Sequence, residues 1–412
     1  MVVAKNYPAL KNPEFWFFMS MRFFLTVATQ MQAVITGWFV FSITHDPLSL
    51  GLIGLAEAIP AIGIALYAGH IADIKSKRMI LVRSIAMMCF SSSGLACVTS
   101  DLFVLGVSPG TSVQLVYFFI FLSGFARGFM GPTGFSFLSQ LVPKEQLTFT
   151  STWNSSVWQI GAIAGPAIGG LLYAFAGVSI TFMIIISLSL ISLLSVFLIQ
   201  PKAVIPQQDG ESILLRLSEG VRFVFNNKVI LGAISLDLFA VLFGGAVALL
   251  PIFAGEILHT GPEGLGMLRA APSAGASLTM LLLSFRKPFR TPGNTLIWCV
   301  AGFGICMIGF GLSTSFLLSL VLLFVSGIFD SVSVVIRGTI LQLQTPDHIR
   351  GRVAAVNTMF IGSSNEIGAF ESGVAARLIG TIPSVVFGGC MTLLITAFTS
   401  VKAKELRKYV YP

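Results

Sequence analysis

A chain of 412 residues with 55% apolar, 11% aromatic and only 10% charged residues is far from an ordinary soluble protein, which carries about 25% charged residues. It is equally far from a disordered chain, which is polar or highly charged. The apolar residues come in long blocks rather than in alternation, so lipid is the solvent for most of the chain. At about 20 residues per span there is room for roughly a dozen helices. The composition describes an all-α polytopic membrane protein.

Twelve blocks are predicted as spans, over about 15–42, 48–68, 79–98, 112–134, 153–173, 181–199, 230–255, 264–285, 294–312, 315–340, 353–378 and 384–401. The first is too long for a cleaved signal, and further spans follow it. Charge alternates between the connecting segments. Segments 1–14, 69–83, 135–150, 200–229, 285–293, 341–352 and 402–412 hold twenty of the 25 Lys and Arg, and the opposite segments hold none. By the positive-inside rule both termini of this multi-pass protein are cytoplasmic. The net charge of +8 is thus topology rather than a nucleic-acid patch. The five cysteines lie inside apolar blocks with no CxxC pair and no nearby histidine, so they are expected to pack, not to form disulfides or bind metal.

The longest cytoplasmic segment divides the chain into a six-helix bundle over 1–199, a linker over 200–229 and a second six-helix bundle over 230–412. Within the linker, Ile213, Leu217, Val221 and Val224 recur at helical spacing beside Arg216, Glu219 and Arg222. This predicts an amphipathic helix on the inner membrane surface that tethers the halves. Shifting the sequence by 203 residues superposes Ser123-Gly124 on Ser326-Gly327, Pro143 on Pro346, Asn154 on Asn357, Gly165 on Gly368 and Gly170 on Gly373. Two parallel six-helix repeats with a site between them form a recurrent transporter architecture. The same shift places Arg127 opposite Asp330, which makes an ion pair between the halves one reading of both.

After the second span comes Gly69-His-Ile-Ala-Asp73-Ile-Lys-Ser-Lys-Arg78. A glycine permits close helix approach, and Asp73 can cap the next helix or pair with Arg78. In the fourth span stands Arg127-Gly-Phe-Met-Gly131, and in the fifth Gly161-Ala-Ile-Ala-Gly165-Pro166-Ala-Ile-Gly169-Gly170. These resemble, in order, the cytoplasmic loop motif, the Arg-x-x-Gln-Gly motif and the antiporter motif of the major facilitator superfamily. Ile74, Ser76 and Met130 depart from the usual residues. Ser235-Leu-Asp237-Leu-Phe, Leu249-Leu-Pro-Ile-Phe-Ala254, Leu268-Arg-Ala-Ala-Pro272, Arg350-Gly-Arg-Val353 and Ser363-Ser-Asn365-Glu366-Ile-Gly368 resemble the drug:proton antiporter-3, or transmembrane secretion effector, group, which includes macrolide-efflux proteins and enterobactin exporters. The resemblance covers nearly the whole chain. It implies twelve transmembrane helices in two pseudo-symmetric bundles, a gate at Gly69, Asp73 and Arg78, and a cavity lined by the first, fourth, seventh and tenth spans.

Five acids fall within predicted spans: Glu57, Asp237, Asp330, Glu366 and Glu371. A carboxylate without solvent gains from holding a proton, so it can take one from one side and release it to the other. Asp237 and Asp330 are the leading candidates for coupling, with Arg127, Asn365, Glu366, Glu371 and Gln30 as further cavity residues. Asn357, Ser364 and Glu371 form a stripe on the eleventh span. Glu57 and Arg269, near outer ends, read as structural. Arg22 and Arg337, toward inner ends, read as snorkelling cations. No GxSxG, HExxH or GxxxxGK[ST] is present, so the chain reads as neither an enzyme nor an ATP-driven pump, and it calls for no cofactor or metal. The function expected is proton-coupled export of a moderately apolar drug or siderophore-like metabolite by a monomer. The rivals are an importer coupled to protons or sodium and a non-transporting sensor or scaffold.

Overall fold

The computed structural model describes residues 8–100, 103, 106–202, 213–285, 289–346 and 349–411, and among these the chain is helical with no strand. The helices are α1 (Pro13–Thr44), α2 (Pro47–Ile74), α3 (Lys77–Val98), α4 (Pro109–Leu141), α5 (Leu147–Phe197), α6 (Ile213–Asn226), α7 (Lys228–Gly244), α8 (Gly261–Ser284), α9 (Pro292–Leu312), α10 (Phe316–Gln344), α11 (Arg350–Ile379) and α12 (Thr381–Lys402). Each predicted span falls on one of them except the seventh, which runs on past the end of α7.

Two spans share α5. The gap expected between the fifth and sixth spans is a corner at Gly177, whose φ of 79° and ψ of 174° suit glycine and few other residues. The seventh span departs from the single block expected. α7 stops at Gly244, and tight, short α and wide turns over Ala246–Leu249, Leu250–Ile252 and Phe253–Ile257 continue it. Two consecutive glycines followed by Pro251 weaken the helix here. The break leaves the Gly245 carbonyl free, and Ser372 Oγ on α11 donates to it at 3.0 Å. Ser372→Ala should therefore cost about 1–3 kcal/mol, read as a lowered unfolding temperature in detergent.

Contacts group the chain into two compact units. The first comprises Met1–Thr44, Ala56–Asp209 and Gly261–Gly266, and the second His45–Leu55, Gly210–Thr260 and Met267–Pro412. The core of the first is built where α1, α3, α4 and the end of α5 meet, around Phe15, Phe18, Met21, Ile85, Phe137 and Val196. That of the second gathers Val224, Ile234, Leu296, Ile336, Val353 and Leu406. Large apolar side chains such as Phe175, Trp298, Phe285 and Phe398 stand exposed, as expected of surfaces that face lipid.

The amphipathic linker helix is α6, and its setting corrects the expectation of a purely surface-lying helix. Glu219 pairs with Arg352 at the start of α11, Gly220 lies against the Arg352 backbone, and Val224 is fully buried. Val221 and Phe225 remain exposed. The side chains of Ile213, Arg216 and Leu217 lie outside the described residues. One edge of the apolar stripe is thus used to hold α6 on its own unit.

Candidate transport site

The acids on the seventh and tenth spans come together in the second unit. Asp237 on α7 pairs with Arg337 on α10, and the two side chains are only 8% and 4% exposed. This corrects the reading of Arg337 as a snorkelling cation. It sits two turns inside the end of α10 at Gln344, and a carboxylate within reach is a better partner for a buried guanidinium than a distant interface. Asp330 lies two turns from Arg337 on the same helix. With Asp237, Ser333, Cys299, Phe303 and Phe329 it lines a cavity of about 10 Å³, enough for one water. Ser333 Oγ in this cavity is buried with no hydrogen-bond partner. With every group ionised, the niche holds two carboxylates and one guanidinium.

Arg127, which the repeat placed opposite Asp330, takes its carboxylate from its own unit and pairs with Glu57 on α2. Gly124 and Gly128 explain how it reaches. The first lies against the Glu57 backbone and Pro60, the second against Ala61 and Ile64, so α4 and α2 nearly touch. Gly327 does the same in the second unit, against the Pro272 backbone of α8. Asn154 and Asn357, another repeat pair, share a further property: each buries an Oδ1 that has no hydrogen-bond partner.

The remaining cavity candidates scatter. Asn365 is exposed and donates to the Ile361 carbonyl at 3.0 Å. Glu366 lies beside Gly54 of α2, and Glu371 is half-buried. None of the three lines the Asp237–Asp330 niche. Gln30 packs its Cβ on Gly165, whereas Gln32 is buried, accepting from Ser92 Oγ at 2.6 Å and reaching Ser123 Oγ at 3.5 Å.

In the loop motif, the surroundings of Gly69 and the side chain of Asp73 lie outside the described residues, and the gate expected there, with the pairing of Asp73 to Arg78, lies outside them too. Arg78 donates to the carbonyls of Val196 at 3.2 Å and Phe197 at 2.8 Å, with its guanidinium 5.6 Å from the Phe197 ring centre. A cation on the last carbonyls of a helix also meets its negative end. Arg78→Gln is expected to loosen this corner by roughly 1 kcal/mol, measured as faster amide exchange at Val196–Leu198.

The antiporter-like motif presents two faces. Gly161, Gly165 and Gly169 recur every four residues against Thr26, Val27 and Met31 of α1. A Cβ on Gly170 would instead meet the Pro262 carbonyl at 2.5 Å and the Gly266 Cα at 2.9 Å, while Gly266 in turn faces the Pro166 carbonyl. Its repeat mate Gly373 has the matching environment: the Pro47 carbonyl at 2.8 Å and the Gly51 Cα at 2.8 Å. In both, the neighbouring helix begins at or next to a proline, and the contact glycine follows four residues later.

Sequence reasoning missed the polar contacts at the helix ends. His45 Nδ1 is 3.2 Å from Glu256 and Asp46 lies 3.9 Å from Arg377. One signal for the first was available, a histidine just before the proline-initiated helix in both halves. His45 and His259 share positive φ values of 47° and 51°.

The profile of a family described as transmembrane secretion effectors matches residues 5–409. The chain is 25% identical over 393 residues to the enterobactin exporter EntS of Shigella boydii serotype 18, covering 94% of this chain and 91% of that one. Among solved structures it is similar to the POT family transporter PepTSo, with TM-score 0.75 at 12% identity over 97% and 99% of the two chains. It is similar also to a D-xylose-proton symporter, with TM-score 0.71 at 14% identity over 96% and 99%. At such identities these likenesses speak for the fold, and the fold is that of the major facilitator superfamily. With the match to the profile running almost from end to end, the chain belongs to the transmembrane secretion effector family and is a multi-pass membrane transporter.

Proposed function

We propose that the protein exports a moderately apolar small molecule, a siderophore-like metabolite or drug, across the bacterial inner membrane in exchange for protons. It works as a monomer with both termini in the cytoplasm, its two bundles of six helices, 1–199 and 230–412, rocking about a central cavity. The observation that carries the coupling is the charge count in the α7–α10 niche. Arg337 balances Asp237, and Asp330 is the surplus carboxylate. A proton on Asp330 leaves the niche neutral and able to move through a conformation closed to water, and loss of that proton restores a charge that favours the open, hydrated state. The naming of relatives as enterobactin exporters supports export and a siderophore-like cargo.

The test uses everted membrane vesicles with an imposed proton gradient and a pH-sensitive dye, while amphipathic compounds are added. Proton release on adding a compound is expected from the native chain and is lost in Asp330→Asn, with the variant folded and inserted. Compound-driven flux that follows a sodium gradient instead, or flux retained in Asp330→Asn, refutes the assignment.

A further inference from the structure

The first unit contains a second cavity, an open one of about 270 Å³ lined by α2, α3 and α4. Its lining is ordered along the helices. On α2 and just beyond its end, Lys75, Ile71 and Tyr67 follow one another at four-residue steps, and on α3 Arg83 is followed by Met87 one turn deeper. Since α2 and α3 are consecutive helices joined by a tight turn, both series run from a cation into apolar surroundings in the same direction. On α4 the deeper wall is formed by Phe125 and Phe129, whose ring centres are 5.5 Å apart. Lys75, Arg83 and Tyr67 are exposed. Among the described residues neither Lys75 nor Arg83 has an ion-pair partner, and no carboxylate lines the cavity.

Two cations with no ion-pair partner among the described residues, at the rim of an apolar, aromatic slot at the membrane edge where basic residues concentrate, fit a ligand with an anionic head and a hydrocarbon body. The volume falls just below the 300–1,000 Å³ of sites that engulf a whole drug-sized molecule. It suits a ligand that inserts only part of itself and leaves the rest in the bilayer. Basic pockets between membrane helices on the cytoplasmic side recognise anionic lipid head groups by this chemistry.

We propose that this cavity binds an anionic phospholipid, with the phosphate between Lys75 and Arg83 and the start of one acyl chain along Met87, Phe125 and Phe129. The assignment to the inner leaflet rests on the orientation proposed above, but the binding itself does not.

The full chain, delipidated in a neutral detergent, is titrated with dioctanoyl phosphatidylglycerol, dioctanoyl phosphatidylcholine, inorganic phosphate and benzoate, with bound ligand counted by native mass spectrometry. Phosphatidylglycerol is expected to bind more tightly than phosphatidylcholine. Each of Lys75→Gln and Arg83→Gln should weaken it about 5-fold, and the double variant roughly 30-fold. Lys404→Gln with Lys408→Gln, which removes two exposed cations elsewhere, should leave it unchanged. Three results overturn the proposal. Equal weakening by both double variants would mean general surface attraction, and inorganic phosphate competing as well as the lipid would mean a bare anion site. Displacement by benzoate would make the cavity part of the path of an anionic cargo. The single variants keep the test open if the double variant does not fold.

Discussion

Replacing Arg337 by leucine is expected to be among the most damaging single changes in the chain, because it strands the Asp237 carboxylate at 8% exposure with no counter-charge. Breaking a buried pair from one side costs about 3–5 kcal/mol, most of it the penalty of the charge left behind. Removing both charges is cheaper than removing one, so Asp237→Asn combined with Arg337→Leu should recover most of the lost stability. Thermal unfolding in detergent measures the first, and the double-variant cycle measures the coupling. Transport separates the roles further. If Asp330 carries the proton and the Asp237–Arg337 pair only sets the charge around it, the stabilised double variant should regain its fold while its pH profile of transport is displaced. An additive cycle would mean that the two side chains act independently.

Gly170→Val and Gly373→Val should each abolish transport while lowering stability by about 1–3 kcal/mol, the usual cost of overpacking a tight contact. At both positions even a methyl group would press on the backbone of the neighbouring helix, with a carbonyl at 2.5 Å and 2.8 Å respectively. The helices must then part along the crossing. Gly177→Ala is the contrast: nothing lies within 4 Å of the added carbon, and the only penalty is the positive φ of 79°. That costs about 1–3 kcal/mol and should leave transport measurable. A transport assay on the three variants at matched expression decides the point.

Much of this was legible because bilayer physics writes long signals. The spans, the corner near 174–180, and the repeat that pairs Gly170 with Gly373 follow from block length, charge alternation and one constant offset. The equivalence of Gly170 and Gly373 even extends to their contacts. Asp237 and Asp330, on two helices that the resemblance named together, line one niche. Partners of charges were not legible. Whether Arg337 turns to Asp237 or to the interface, and whether Arg127 finds Glu57, depends on the rotation of whole helices about their axes, and a linear pattern fixes that only within tens of degrees. The break at Gly245 was hidden for a related reason: hydropathy is unchanged across it, and what makes it stable is Ser372, far away in sequence.

The hold of Arg78 on the carbonyls at the end of α5 has a consequence for how the protein is made. Donor and acceptor are separated by 118 residues for Val196 and 119 for Phe197. A ribosome adds about 5–20 residues per second, so roughly 6–24 s pass between the emergence of Arg78 and that of its partners. During that interval these two carbonyls are not yet there for the guanidinium to bind. The corner at Arg78 is therefore sealed late, only after the end of α5 at Phe197 has been made.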